Sequence, residues 1–290
     1  MKKTIFSGSG VAVVTPMHSD LSVNFEEYGK VLDFLIDNGS DAIISCGTTG
    51  EASTLKDEEH LEVISYAIKR AAGRVPVIAG TGSNDTVHAI ELTKEAKKAG
   101  ADATLQVTPY YNKTSQKGLI NHFAAIADSG GLPVIMYNVP SRTGMNIAPE
   151  TYLELSKHDK IVATKEASGN LTAIATAMAL CGDDLDVYSG NDQEITPIMA
   201  LGGIGVISVL ANVKPRETSE LCHYCLNNDF ISAAKLQVAL IPLINALFSD
   251  VNPIPVKEAM KIIGYDAGPC RMPLYELSDK GKADLVRLLG

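Results

Sequence analysis

IVATKEA, at residues 161–167, is a short and nearly continuous apolar run that contains a lysine. Such runs are typical of strands buried on both faces, as in an all-parallel sheet. Seven further runs share its length and its β-branched residues, and they lie at residues 11–16, 42–45, 76–80, 103–107, 133–138, 186–190 and 205–209. A strand is predicted at each of the eight.

Amphipathic segments between these runs have the spacing of helices. In the first of them the apolar residues at helical spacing are Tyr28, Val31, Leu32, Leu35 and Ile36. Asn24 and Glu27 have the spacing of a capping box, and Gly39 follows the segment, so the helix is expected to lie between them. A later helical pattern ends at Gly100.

A strand followed by a helix, repeated about eight times, predicts the α/β class and a (β/α)8 TIM barrel. A doubly wound sheet is the alternative. From about Phe230 the alternation stops, and helical patterns follow at residues 231–248, 255–263 and 278–289. We therefore predict a barrel with the active site at residues 1–229 and a C-terminal helical appendage at residues 230–290.

The composition excludes several classes of protein. The chain has 290 residues, 46% of them hydrophobic, and a formal net charge of −9. A mostly disordered chain is excluded, and nucleic acid and anionic membranes are not expected partners because both require clustered basic residues. Five scattered cysteines without a signal peptide predict a reducing compartment, and the apolar runs are shorter than the ~18 residues of a membrane helix. A soluble cytoplasmic protein is expected.

Polar segments follow the predicted strands. GTTGE at residues 47–51 follows the second strand, TPYYNK at residues 108–113 follows the fourth, and YNVPSRTG at residues 137–144 ends the fifth. Lys165 lies near the end of the sixth. Reactive groups of a TIM barrel lie at the carboxyl ends of its strands. These segments are therefore predicted to form one active site.

Lys165 is the strongest candidate for a reactive group. Burial disfavours its charged form and lowers its pKa, which leaves an amine that can attack a carbonyl carbon. The alternative is a structural ion pair with a carboxylate such as Glu166. Consecutive strand residues point to opposite faces, so Glu166 is expected to face away.

Three further features supply binding and proton-transfer groups. GTTGE offers two hydroxyls and free backbone N–H groups for a small anion, although such turns are commonly structural. The hydroxyl of Tyr137 can act as an acid or base, or can satisfy a structural hydrogen bond. Arg142 can hold a carboxylate through two parallel hydrogen bonds, or can be an ordinary surface residue. Their convergence at one face favours the functional interpretation.

Two other motifs carry little weight. CHYC at residues 222–225 has metal-knuckle spacing, but it lies on a helical pattern without a second pair, which favours two thiols on a helix face over zinc. AGTGSND at residues 79–85 lacks the third glycine of a dinucleotide fingerprint. No metal and no organic cofactor is predicted.

GTTGE, TPYYNK, YNVPSRTG, TKEASGN and GVISVLANV closely resemble the dihydrodipicolinate synthase family, also called the 4-hydroxy-tetrahydrodipicolinate synthase family, over essentially the whole chain. The resemblance implies a class I aldolase-type lyase of lysine and diaminopimelate biosynthesis. Pyruvate would form a Schiff base, and the enamine would attack L-aspartate 4-semialdehyde. An iminium is itself an electron sink, which agrees with the lack of a predicted cofactor.

The resemblance also implies roles for single residues. The catalytic residues would be Lys165 for the Schiff base, Tyr137 for proton transfer, and Thr48 and Tyr111 for a proton relay. The substrate-binding residues would be Thr49 and the backbone at Ile207 for pyruvate, Gly190 in the pocket wall, and Arg142 for the carboxylate of the semialdehyde. Tyr111 would enter from a neighbouring subunit, and a homotetramer built as a dimer of dimers is implied.

Lysine, the end product, inhibits some members of this family at a site between subunits. The candidate lysine site here consists of Ser53, His60, Asn84, His88 and Tyr110. His88 stands where sensitive members tend to carry glutamate, and Asp57 also departs from the sensitive pattern. An imidazole thus replaces a carboxylate that would bind the ammonium group, and weak or absent inhibition is predicted.

The sequence leaves two alternative functions open. Another pyruvate-dependent aldolase, such as N-acetylneuraminate lyase or a keto-sugar-acid aldolase, would share the lysine and the tyrosine. Arg142 together with Tyr110 and Tyr111 favours the synthase, because a second substrate with a carboxylate needs a cation. A catalytically silent binding protein would be expected to lose Lys165 or the relay hydroxyls.

Overall fold

A computed structural model describes residues 2–290, and its eight strands, all parallel, close into one barrel in which β1 pairs with both β2 and β8. The strands are β1 Gly8–Ala12, β2 Ala42–Ser45, β3 Val77–Gly80, β4 Ala103–Val107, β5 Val134–Asn138, β6 Ile161–Glu166, β7 Asp186–Ser189 and β8 Gly205–Ser208. The predicted TIM barrel is confirmed. The doubly wound alternative is wrong, because the sheet closes on itself.

Helices surround the barrel and extend beyond it. In the described residues the α-helices are α1 Phe25–Asp37, α2 Asp57–Ala71, α3 Thr86–Ala99, α4 Gln116–Gly130, α5 Pro140–Thr143, α6 Pro149–Ser156, α7 Leu171–Cys181, α8 Ile195–Ala200, α9 Pro215–Leu226, α10 Phe230–Leu247, α11 Ile254–Ile262 and α12 Asp279–Leu289. The three helical patterns predicted in the C-terminal region correspond to α10, α11 and α12.

Local signals set the ends of α1. Asn24 caps the helix, because its side chain accepts a hydrogen bond from the N–H of Glu27 at 3.0 Å. This satisfies one of the backbone donors that a helix start leaves free. Asn38 caps the other end and donates to the carbonyl of Phe34 at 2.8 Å. The boundaries predicted from the sequence are confirmed for this helix.

The first strand lies earlier than predicted. The apolar run at residues 11–16 suggested it, but β1 is Gly8–Ala12 and residues 13–16 lie in the loop that follows. A Cβ on Gly10 would lie 2.6 Å from Cζ of Phe6 and 2.8 Å from Cδ1 of Ile44, so a larger residue would have to displace these side chains. Glycine carries no hydrophobic signal, so the apolar pattern did not reveal the start of the strand.

Apolar side chains fill the barrel and the layer outside it. Inside the barrel, Ile44, Ile78, Leu105 and Ile207 belong to one buried cluster. A larger cluster lies between barrel and helices, and it includes residues of α1, α2 and α9 together with residues of α10, α11 and α12. The C-terminal helices therefore share a core with barrel helices, and the division at residue 230 stays a prediction.

α10 is long and apolar. Within residues 2–290 it is the one helix whose 18 residues and mean hydropathy of 1.6 meet the requirements for crossing a membrane, and 33% of that segment is buried. Its buried side chains, such as Leu240 and Ile244, join the larger core cluster. A helix that packs in a core meets the same two requirements as a membrane helix, so its sequence alone does not distinguish them.

Candidate active site

Lys165 projects into the barrel from β6. It is 5% exposed, and its register partners are Tyr137 on β5 and Tyr188 on β7. The ammonium nitrogen lies 4.3 Å from the centre of the Tyr137 ring. Burial lowers the pKa of Lys165 to about 8, the charge of Asp192 opposes this shift, and the charge of Arg142 adds to it. A substantial fraction of the amine is therefore neutral near physiological pH.

Glu166 faces away from Lys165, as the alternation of strand side chains predicts. Its carboxylate accepts hydrogen bonds from the hydroxyl of Tyr152 at 2.6 Å and from Nδ2 of Asn138 at 2.9 Å, outside the barrel interior. Burial raises the pKa of Glu166, and these hydrogen bonds oppose the rise. The alternative of an ion pair between Lys165 and Glu166 is wrong.

Tyr137 lies at the end of β5 and is buried. Burial raises the pKa of its hydroxyl, while the charge of Arg142 and the hydroxyl of Thr48 lower it. The phenol is thus protonated at neutral pH and can donate a proton, and both groups that stabilise its anion come from predicted site residues.

A buried ion pair holds the GTTGE loop after β2 in place. Lys257 of α11 donates to Oε1 of Glu51 at 2.7 Å, and the two side chains are 2% and 1% exposed. The N–H of Arg271 donates to Oε2 of Glu51 at 2.8 Å. Glu51 has a φ of 56°, a left-handed conformation that is uncommon for a non-glycine residue. The C-terminal region therefore fixes the loop that carries Thr48.

Thr49, Gly190 and Ile207 are the predicted contacts for pyruvate. Thr49 is buried, and its hydroxyl accepts a hydrogen bond from Nδ2 of Asn252 at 3.0 Å. A Cβ on Gly190 would lie 3.1 Å from Cγ of Lys165, so only glycine leaves space beside the lysine stem. Ile207 lies buried on β8, inside the barrel.

Among the predicted catalytic and substrate-binding residues, Arg142 and Tyr111 are exposed. Arg142, on α5, donates from Nη2 to the backbone carbonyl of Asn252 at 3.3 Å. Tyr111 is 91% exposed and has a φ of 68°. Within one chain, Tyr111 thus presents its ring to the outside and stays apart from Tyr137 and Thr48.

A cavity of about 360 Å³ opens beside these residues. Its lining includes Thr48, Tyr137 and Arg142 as well as His60 and His88. Lys165 is not among the residues that line this cavity, and its nitrogen lies against the ring of Tyr137, which does line it.

Four residues of the candidate lysine site line the same cavity, namely Ser53, His60, His88 and Tyr110. The fifth, Asn84, donates from Nδ2 to the backbone carbonyl of Tyr110 at 3.2 Å. Nε2 of His88 lies 3.1 Å from Oδ1 of Asp57, and Nδ1 lies 3.2 Å from the hydroxyl of Ser83. Both ring nitrogens of His88 therefore have partners. Asp57 supplies a carboxylate beside the imidazole.

The thiols of CHYC, Cys222 and Cys225, are buried on α9 in the larger core cluster. Residues 2–290 hold no group of three or more His, Cys, Asp or Glu side chains arranged for a metal ion.

The sequence did not predict the supporting roles of Asn252, Glu51, Lys257 and Arg271. The segment at residues 252–257 combines Asn, Pro and Lys with apolar residues, which indicates a helix start and nothing about an active site. One feature of the sequence indicates a specific role in this segment: Lys257 is a charged residue among the apolar residues of α11, as Lys165 is among those of β6.

Comparisons with known proteins show the family and the fold of this chain. The family model described as the dihydrodipicolinate synthetase family matches residues 5–290. A 4-hydroxy-tetrahydrodipicolinate synthase of Caldicellulosiruptor saccharolyticus is 56% identical over 285 residues, which are 98% of this chain and 96% of the relative. The crystal structure of the dihydrodipicolinate synthase of Acinetobacter baumannii complexed with pyruvate is 43% identical, with a TM-score of 0.96 and coverage of 99% and 98% of the two chains. The Cyanidioschyzon merolae structure with lysine bound is 39% identical, with a TM-score of 0.95 and coverage of 99% and 98%.

Proposed function

The chain belongs to the dihydrodipicolinate synthetase family, and from this membership we propose that it condenses pyruvate with L-aspartate 4-semialdehyde in the diaminopimelate route to lysine. It is a lyase of the Schiff-base-forming, class I aldolase type. The single observation that carries the assignment of the site is the amine of Lys165, buried in the barrel with a pKa lowered to about 8.

In the proposed mechanism the neutral amine of Lys165 attacks the ketone carbon of pyruvate. A C–N bond forms, one proton is taken up, the ketone oxygen leaves as water, and a cationic iminium results. Loss of a proton from the methyl group gives an enamine, whose carbon attacks the aldehyde of the semialdehyde and forms the new C–C bond, while the aldehyde oxygen takes up a proton. The amino group of the semialdehyde then displaces the amine of Lys165 from the regenerated iminium, which closes the ring and frees the enzyme. The low-polarity barrel wall around Lys165 favours the neutral amine that begins this sequence.

Tyr137 is proposed to transfer protons in these steps, because its hydroxyl lies beside Thr48 and its ring lies against the amine of Lys165. Tyr111 is proposed to complete the relay in a neighbouring subunit. Its 91% exposure supports this assignment, since an aromatic ring that projects from its own chain is available to a partner. A homotetramer, built as a dimer of dimers, is proposed on the family resemblance.

The substrates are proposed to bind through fixed groups at the strand ends. Thr49 and the backbone at Ile207 would hold the carboxylate of pyruvate, and Gly190 would leave space beside Lys165. Arg142 would hold the carboxylate of the semialdehyde at the mouth of the site, because its guanidinium is exposed there and carries two parallel donors. No metal and no organic cofactor enters these steps.

Relatives named as synthases match nearly the whole chain and favour this function over N-acetylneuraminate lyase or a keto-sugar-acid aldolase. A cytoplasmic location is proposed, and the five cysteines support it, since all are free thiols and four of them are buried. The candidate lysine site is proposed to respond weakly or not at all to lysine.

The assignment is tested by incubating the protein with pyruvate and borohydride and locating the adduct by mass spectrometry. We expect the reduced adduct on Lys165 and turnover of aspartate semialdehyde in a coupled assay. Lys165→Arg should abolish both. An unmodified Lys165 would favour the silent binding protein, and an adduct without turnover of the semialdehyde would favour another pyruvate aldolase.

A further inference from the structure

Asn252, just before α11, contacts two residues that are proposed to bind the substrates. Its side-chain Nδ2 donates to the hydroxyl of Thr49 at 3.0 Å. Its backbone carbonyl accepts from Nη2 of Arg142 at 3.3 Å. Thr49 follows β2 and Arg142 follows β5, so a residue of the C-terminal region connects two loops from different parts of the barrel.

Burial strengthens the contact with Thr49. Asn252 is 5% exposed and Thr49 is 2% exposed, so water does not compete for their hydrogen bond. The other polar atom of the amide, Oδ1, has no hydrogen-bond partner within residues 2–290. A buried acceptor without a partner costs stability. The presence of an amide at this position is therefore better explained by its bond to Thr49 than by stability.

The direction of this bond determines what the hydroxyl of Thr49 can do. A hydroxyl has one hydrogen to donate and two lone pairs to accept. Since the amide of Asn252 donates to one lone pair, the hydrogen of Thr49 stays available for an anion. A carboxylate in place of the amide would take that hydrogen and would repel a second anion.

We propose that Asn252 is a positioning residue that directs the hydroxyl of Thr49 toward the carboxylate of pyruvate and holds Arg142 through its backbone carbonyl. The inference rests on the proposed function, because it takes pyruvate as the ligand of Thr49. Asn252 touches neither substrate in this account and acts through the two residues it holds.

Two variants separate the contributions of the amide. Asn252→Ala removes the donor, and Asn252→Asp replaces the donor by an acceptor of similar size. The KM for pyruvate should rise about fivefold in Asn252→Ala, and in Asn252→Asp it should be at least about tenfold higher than in Asn252→Ala. The KM for aspartate semialdehyde should stay within about twofold, because the backbone carbonyl that holds Arg142 is present in both variants.

The effect of Asn252 on pyruvate binding can also be measured without turnover of the second substrate. The pyruvate concentration that half-saturates borohydride trapping on Lys165 should shift as the KM for pyruvate does. In a Thr49→Val background, Asn252→Ala should have little further effect, since residues that act through one contact are not additive. Asn245→Asp on the exposed side of α10 is the matched control and should leave both KM values unchanged.

An unchanged KM for pyruvate in both Asn252 variants would overturn the inference. An equal rise of both KM values with a lowered unfolding midpoint would also overturn it, by assigning Asn252 a structural role. Failure of the proposed function is distinguishable, because the wild type would then fail to trap pyruvate or to turn over the semialdehyde.

Discussion

The ammonium nitrogen of Lys165 lies 4.3 Å from the centre of the Tyr137 ring, and the two residues are register partners on adjacent strands. The pairing of β5 with β6 therefore sets the separation between the proposed nucleophile and the proposed proton donor. A separation that depends on a strand ladder is held more rigidly than one that depends on loops.

The rate of adduct formation should depend on pH through Lys165. Burial lowers its pKa to about 8, so the amine is mainly protonated and unreactive below that value and mainly neutral above it. The initial rate of pyruvate trapping by borohydride should rise with pH, with a midpoint near 8. A midpoint near the ordinary lysine value of about 10.4 would contradict the assignment.

Arg142→Ala should reduce the use of the semialdehyde much more than the formation of the pyruvate adduct. Loss of a charge-assisted hydrogen bond corresponds to a fall of about ten- to a hundredfold in kcat/KM for that substrate. Steady-state kinetics and borohydride trapping measure the two effects. Arg287→Ala, which removes an exposed arginine on α12, is the control. Equal losses in both assays would count against Arg142 as the carboxylate-binding residue.

Two inactive variants should complement each other if Tyr111 acts in a neighbouring subunit. Lys165→Arg and Tyr111→Ala would each be impaired at every site of their own oligomer. In a mixed symmetric pair, one site carries both substitutions and the other carries neither. Co-expressed chains should thus recover part of the wild-type activity, whereas separately purified variants should not. Absence of recovery in proven mixed oligomers would place Tyr111 outside the relay.

Lys257→Met should destabilise the protein by about 3–5 kcal/mol, because it leaves Glu51 as a buried charge without its partner. Denaturant unfolding measures the change. Lys98→Met breaks an exposed pair with Glu95 and should cost under about 1 kcal/mol. Comparable small costs for both variants would show that the buried pair does not secure the GTTGE loop.

Lysine should inhibit the wild-type enzyme weakly or not at all. Both ring nitrogens of His88 have partners, Asp57 and Ser83. The carboxylate of Asp57, which lines the cavity and is the group that an ammonium ion could approach, therefore already has the imidazole beside it. His88→Glu would place a second carboxylate beside Asp57 and should increase sensitivity to lysine. A titration with lysine in the coupled assay, on the wild type and on His88→Glu, measures the inhibition. Submillimolar inhibition of the wild type would overturn the prediction.

Local patterns predicted most of the strands and several of the helix ends. AIIS and ATLQV coincide with β2 and β4, because buried β-branched runs carry a strong strand signal. β1 was placed too late, because Gly8 and Gly10 carry no hydrophobic signal, although a Cβ at either position would lie against side chains of neighbouring segments. Whether Thr49 and Arg142 share one support could not be predicted, since Asn252 lies 203 and 110 positions from them along the chain.

The sequence by itself determined the barrel and the opposite directions of Lys165 and Glu166, because strand periodicity and side-chain alternation are properties of a few consecutive residues. Only the tertiary structure decided that Lys257 pairs with Glu51 and that Asn252 reaches Thr49. These contacts depend on where closure of the barrel and packing of the C-terminal helices bring residues that are distant in sequence, and no local pattern specifies that.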